Sequence, residues 1–408
     1  MFFNNTKIAE NYFFMTSLTV INAIISILIY PYVIRTLGKD SYGLYVFALS
    51  IVSFLSVFVD FGFHSPAMKM IAQNRDDIKK KNEIVSSVFT AKMIIVGVTT
   101  LIFSMLCMLI PVFYQNFWLF GIVYSQIFVE ILFPKFFFLG MQKMKYVTYI
   151  QLIFRLLSIP LILIFIKNNN QIVDYALIMS SAMVLGSVVA TFIMWKNEGI
   201  VLRFVPIRSL KIWIRDSFPF FITDVMGVFK QESVTIIIGV FFKMSDVAIY
   251  DLANKIILMF RYFTSSINSA LFPKISINPN SLLIKKIIRY EKFIGMSICA
   301  LIIAFGYWFV LLLGGETMIA AYPLAIILST VILTSLLANS YINFVFVQKN
   351  KYYLVAKNQF VALLTYLLFT AVGLLFLENI AVVVTAYALS SIVEVFYCKY
   401  LTKKYALL

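Results

Sequence analysis

Arg155, Lys230 and Arg261 each lie well inside an apolar stretch long enough to cross a bilayer. A charged side chain at mid-bilayer costs about 2.5–3.5 kcal/mol and needs a partner, water or an anion. Guanidinium groups meet phosphate through paired hydrogen bonds that an ammonium cannot make. The chemistry these cations suggest is therefore binding of a phosphate-bearing substrate in a wet cavity. Their surroundings agree. At 100° per residue, Thr148, Gln151, Arg155 and Ser158 share one helical face. A second helix groups Asp224, Gln231, Glu232 and Thr235, with Lys230 displaced from them. A third aligns Asp251, Lys255, Tyr262, Ser265 and Ser269, with Arg261 at the edge; Asp251 and Lys255, four apart, form a self-neutralising pair. Ser335, Asn339 and Asn343 recur at helical steps, and Asn11, Asn22 and Ser26 add polarity near the start. Polar glue between helices accounts for the Asn and Ser residues, but it does not call for cations at mid-depth. Asp60, Lys92, Lys135 and Glu394 lie nearer the helix ends, where snorkelling is expected.

The elements that carry these residues follow from composition. The chain has 408 residues, 62% hydrophobic and 13% charged, with a mean hydropathy of +0.94. A soluble domain is excluded, and there is apolar chain enough for about twelve transmembrane helices. Spans are predicted at 12–34, 42–62, 85–109, 117–139, 146–166, 175–195, 217–241, 247–271, 293–313, 320–347, 360–377 and 380–398. The net charge of +16 does not indicate nucleic acid, because the basic residues punctuate apolar runs instead of clustering on a polar face. With the N-terminus inside, most of the 34 Lys and Arg fall in loops on that side, against Arg35, Lys39, Lys167 and Lys243 on the other. The positive-inside rule then places both termini in the cytoplasm. The basic inner loops suit anionic lipid headgroups, and the short outer loops hold no domain. No cleaved signal peptide is expected from the N-terminal residues.

A single histidine (His64) and three scattered cysteines give no metal centre and no disulfide framework. There is no P-loop and no nucleophile motif, so neither a catalytic residue nor a cofactor is expected. Gly38 and Gly43 read as turn glycines, and Pro31, Pro134 and Pro219 as sites of helix kinks. Gly43-Leu44-Tyr45 with Ala48 matches Ala248-Ile249-Tyr250 with Ala253 at a constant spacing near half the chain, and Lys69 falls on Lys274. This predicts a duplication into six-helix bundles, 1–205 and 206–408, with a substrate site at their interface.

The run from Pro31 to Tyr45, PYVIRTLGKDSYGLY, resembles the helix 1–2 junction of Wzx-type O-antigen flippases, the polysaccharide biosynthesis proteins. Asp60-Phe61-Gly62-Phe63, Phe218-Pro219-Phe220-Phe221 opening the seventh helix, and Tyr250 with Ala253 are similar to further motifs of that family. The resemblance implies the multidrug/oligosaccharidyl-lipid/polysaccharide exporter superfamily: an all-α protein of two six-helix bundles working by alternating access in the cytoplasmic (inner) membrane. The implied substrate is an undecaprenyl-pyrophosphate-linked oligosaccharide repeat unit, flipped for O-antigen or capsule synthesis and passed to a polysaccharide polymerase. Arg155, Lys230 and Arg261 are then the candidates for the pyrophosphate, with Gln151, Lys255 and Asn339 as further substrate contacts. The family's cavity is expected to be cationic, yet Glu130, Asp224 and Glu232 nearly balance the cations here. Structural pairing accounts for them, or coupling to a proton or sodium ion. A multidrug exporter of the same superfamily is the nearest alternative, and a membrane glycosyltransferase or polymerase a more distant one.

Overall fold

A backbone N–H or C=O left unpaired in hydrocarbon costs several kcal/mol, and a helix pairs nearly all of them within one segment. Long apolar runs therefore become helices. The computed structural model describes residues 5–277, 281–349 and 351–408; the side chains of Asn11, Ser265, Ser269 and Lys274 lie outside the described residues. Within them every regular element is helical. The first nine helices are α1 (Asn5–Asp60), α2 (His64–Gln73), α3 (Ile78–Leu109), α4 (Pro111–Gln115), α5 (Phe117–Tyr124), α6 (Val129–Leu132), α7 (Lys135–Gly140), α8 (Met144–Phe165) and α9 (Ile172–Glu198). There follow α10 (Ile207–Phe241), α11 (Met244–Ile277), α12 (Ser281–Gly314), α13 (Ala321–Tyr341), α14 (Tyr352–Phe376) and α15 (Ile380–Lys404).

Among the described residues, 9 helical stretches are long and apolar enough to cross a membrane. The first, Phe14–Asp60, has 47 residues, about 70 Å at 1.5 Å per residue and roughly twice the hydrocarbon thickness. Gly38 interrupts it (φ 74°, ψ 162°), so this stretch contains two of the predicted spans. The charge-bearing helices α10 and α11, with 35 and 34 residues, correspond to two more. Large apolar side chains such as Leu101, Met108, Leu375 and Phe376 are more than two-thirds exposed. Such a surface calls for lipid. The protein is an all-α, multi-pass membrane protein.

The chain separates into two compact units, residues 1–24 with 48–228 and residues 25–47 with 229–408. In the first, α8 packs on α9, α2 on α7, and α5 and α6 on α9. In the second, α12 packs on α13, α14 on α15, and α13 also on α11 and α15.

Several sequence expectations change in the structure. Gly38 does take the positive φ of a turn residue, but Gly43 does not: it is helical, and a Cβ there would collide with the Met244 carbonyl. Its role is close approach. Its Cβ position also lies 3.3 Å from the Ala248 nitrogen. Phe218-Pro219-Phe220-Phe221 does not open a helix but lies inside α10, with Phe221 stacked on Phe61 at 4.4 Å. The span predicted at 117–139 is broken into α5, a 3-10 turn, α6 and α7, with Phe133 and Pro134 out of helical geometry. Proline lacks the N–H that would continue the ladder. The link between α9 and α10 is an extended strap along α3. Val201 N donates to Asn82 Oδ1 (2.7 Å), Arg203 N to Ser86 Oγ (3.2 Å) and Val205 N to Thr90 Oγ1 (3.2 Å). Two residues of extended chain rise about 6.6 Å and four residues of helix about 6 Å, which is why the two backbones stay in step.

Candidate functional site

The polar face of α8 opens onto a cavity of about 300 Å³ in the first unit. Gln151, Arg155 and Ser158 line it from α8, Met179, Met183 and Gly186 from α9, Asn22 from α1, and Val129 and Phe133 from the broken span. The expected stripe is thus turned inward, away from the exposed Leu156 and Leu157 of the same helix. Arg155 sits near the midpoint of α8 and is partly exposed. Its Nη1 lies 3.9 Å from Met179 Sδ, and its carbonyl accepts from Ser158 Oγ at 2.7 Å. Thr148, the fourth member of the stripe, donates to the Phe14 carbonyl at 3.1 Å and braces α8 against α1. Small Gly186 leaves room for Phe154, whose ring would stand 3.2 Å from a Cβ there. The chemical result is the Arg155 guanidinium, the carboxamides of Gln151 and Asn22 and the Ser158 hydroxyl on the wall of an otherwise soft, apolar chamber.

Two predicted snorkelling residues are corrected by a neighbouring arrangement. Lys92 is buried (5% exposed), its Nζ 2.7 Å from Asp60 Oδ1 and 3.0 Å from the Glu130 carbonyl, with Glu130 Oε2 at 4.0 Å. Burial would be costly for a lone ammonium, and the carboxylate offsets that cost. Glu130 thereby joins a local cluster, and Asp224, exposed on α10, lies within electrostatic reach of Asp60. Lys135 is exposed, as expected. His64, half-buried at the start of α2, has its pKa lowered by burial, with Asp60 opposing and Lys135 and Lys92 reinforcing the shift.

In the second unit the two candidate lysines are otherwise engaged. Lys230 is buried and pairs with Glu394 at 2.8 Å, so Glu394 does not snorkel either. Asn358 and Gln359 donate to the other Glu394 oxygen at 3.4 and 3.3 Å, and Lys230 Nζ lies 5.6 Å from the centre of the Tyr387 ring. Lys255 forms the expected pair with Asp251. It also donates to Tyr42 Oη at 2.9 Å and lies over the rings of Tyr30 (5.0 Å) and Tyr42 (5.5 Å), while Tyr42 donates to Asp251 at 3.0 Å. Arg261 is partly exposed and Asn339 exposed. Glu232 accepts from neighbouring Gln231 at 3.4 Å. Among the described residues no cluster of three or more His, Cys, Asp or Glu could hold a metal ion.

The sequence pattern of the family described as polysaccharide biosynthesis protein matches residues 8–278. The chain belongs to that family. A protein of Escherichia coli (strain K12) described as a candidate O-antigen transporter is 24% identical over 316 residues, covering 78% of this chain and 75% of the relative. In fold the chain is similar to an inward-facing multidrug resistance MATE family transporter of the MOP superfamily (TM-score 0.68, 13% identity, 95% of each chain). It is similar as well to the lipid II flippase MurJ in an inward closed conformation (TM-score 0.67, 14% identity, 97% of this chain and 87% of that one).

The quoted motifs have structural work: Gly43 packs on α11, Phe61 on α10, and Asp60 holds Lys92. The sequence reading missed Met179 and Met183 as cavity walls and Asp60 as partner of Lys92. No local signal joins Lys92 to Asp60, 32 positions away.

Proposed function

We propose that this protein is a flippase that moves an undecaprenyl-pyrophosphate-linked oligosaccharide repeat unit across the cytoplasmic membrane by alternating access, for O-antigen or capsule synthesis. The observation that carries the reading is Arg155 on the wall of a cavity within a membrane-spanning unit. A pyrophosphate with its sugars cannot cross hydrocarbon unaided. Guanidinium offers it charge-assisted, paired hydrogen bonds, and Gln151 and Asn22 offer partners for hydroxyls. Family membership and the O-antigen transporter relative support the same substrate class. Arg261 and Asn339 are the candidates of the second unit. Lys230 and Lys255 would contact substrate only after parting from Glu394 and Asp251. Glu130, Asp224 and Glu232 are candidates for coupling to a proton or sodium ion. We place both termini in the cytoplasm, read 1–205 and 206–408 as the duplicated halves, assign no catalytic step to the chain, and hand its product to a polymerase.

Phe133, Phe154, Met179 and Met183 on the same walls favour a second reading, a multidrug exporter, since soft and aromatic side chains adapt to varied ligands. Cells lacking the protein distinguish the two. In spheroplasts, lipid-linked repeat units should accumulate out of reach of external reagents, and Arg155→Ala should reproduce this at normal membrane abundance. Normal surface polysaccharide from the Arg155→Ala variant would refute the phosphate role.

A further inference from the structure

At the break after α6, the carbonyls of Glu130 and Leu132 are among those that lose their helical partners. In an unbroken helix Glu130 would accept from the N–H of residue 134, but that residue is Pro134. Leu132 would accept from residue 136, and the chain has turned away, with Phe133 at φ −100°, ψ 92° and Pro134 at φ −76°, ψ 61°. Inside a membrane such groups must be satisfied by neighbours. They are. Lys92 Nζ donates to the Glu130 carbonyl at 3.0 Å, and Thr191 Oγ1 donates to the Leu132 carbonyl. Lys92 reaches this point from α3, and Asp60, the last residue of α1, secures its charge at 2.7 Å.

Val129 and Phe133, on either side of these two carbonyls in sequence, form a wall of the Arg155 cavity. The ammonium of Lys92 thus lies behind the wall: it caps the backbone that presents those two side chains. We infer that Lys92, clamped by Asp60, is a positioning residue that fixes the broken segment and so sets the width of the Arg155 cavity. This rests on the substrate reading of that cavity, and it assigns a role to the Asp60-Phe61-Gly62-Phe63 motif beyond packing. A lysine present only for stability could be exchanged, together with its carboxylate, for a neutral pair without altering the cavity. A lysine that caps the Glu130 carbonyl could not.

The test uses full-length protein in detergent, with Cys107, Cys299 and Cys398 replaced and Phe133→Cys as a reporter. Lys92→Met with Asp60→Asn removes both charges of the 2.7 Å pair, leaving only the more exposed Glu130 carboxylate, 4.0 Å from the lysine, without its cation. The expected result is a folded, monodisperse protein whose introduced thiol is labelled several-fold faster. In the Phe133-containing counterpart, a short polyprenyl pyrophosphate should bind roughly tenfold more weakly, as expected when a binding wall is misplaced. Lys92→Arg, which keeps the donor and the charge, should restore both readouts. Should the neutral pair fail to fold, Thr191→Val removes the neighbouring cap alone and should change labelling in the same direction. Unchanged labelling in a folded neutral pair, or in Thr191→Val if that is the variant available, overturns the inference. Faster labelling in a protein whose parent never binds the pyrophosphate probe keeps the positioning role and sinks the substrate reading instead.

Discussion

In the unit of residues 1–24 and 48–228, Arg155 keeps its guanidinium on a cavity wall, although Lys92 in the same unit is held by Asp60. In the unit of residues 25–47 and 229–408, Lys230 and Lys255 are each matched to a carboxylate and roofed by tyrosine rings. Cations set in apolar helices therefore have different surroundings. Where a carboxylate is within reach, as for Lys92, Lys230 and Lys255, the charge is neutralised; Arg155 lines a cavity together with Phe154, Met179 and Met183.

The strongest way to break this contrast is to unpair the second unit. Lys230→Met would strand Glu394 beside Asn358 and Gln359 and should destabilise the protein by about 3–5 kcal/mol, whereas Lys230→Met with Glu394→Gln should come close to neutral. Thermal unfolding in detergent reads both. A single variant as stable as its parent would show that the pair is not the structural element proposed here.

Next in size is the ligand side. Arg155→Ala should weaken pyrophosphate-lipid binding by about 1.5–3 kcal/mol, the worth of a charge-assisted hydrogen bond. Arg155→Lys should recover part of this, because the charge remains while the paired geometry is lost. If the neutralised Lys230/Glu394 double variant loses as much binding as Arg155→Ala, Lys230 leaves its partner for the substrate and the two units are less different than their resting contacts indicate. A smaller effect is expected at Tyr42, which links Asp251 and Lys255. Tyr42→Phe should cost about 0.6 kcal/mol, typical of a hydrogen bond between membrane helices.

What the sequence discloses follows the same division. The helical class, the spans and the inward-facing stripe of α8 are legible because hydropathy and a 3.6-residue period are local properties. Arg155, Gln151 and Ser158 could be placed on one face without knowing any neighbour. Lys230 could not be matched to Glu394, nor Lys92 to Asp60, because those partners are separated by 164 and 32 positions and meet only through helix packing. Gly43 was open to misreading for a related reason: a glycine that admits a neighbouring carbonyl looks, in one dimension, like a glycine that makes a turn. Pro134 announced an interruption, but not which side chain would cap it.

The smallest effect is the part of the pH dependence that comes from the first unit's imidazole, His64 being the 1 histidine of the chain. Burial lowers its pKa, with Asp60 opposing and Lys135 and Lys92 adding to the shift. The folded protein therefore binds fewer protons here than the unfolded chain does. Stability is retained above the unfolded value, near 6.5, and falls as the pH drops through it, the loss ending once the folded imidazole also takes its proton. Carboxylates elsewhere contribute to acid sensitivity in wild type and variant alike, so the difference between the two isolates the ring. His64→Gln should flatten the wild-type decline in melting temperature between about pH 7.5 and about pH 5.5. Combining it with the neutral Lys92→Met, Asp60→Asn pair should show less than additive change, because the three groups sense one another. Strict additivity would mean that His64 titrates independently of the Lys92 clamp, and the first unit's charges would then act as separate sites and not as one cluster.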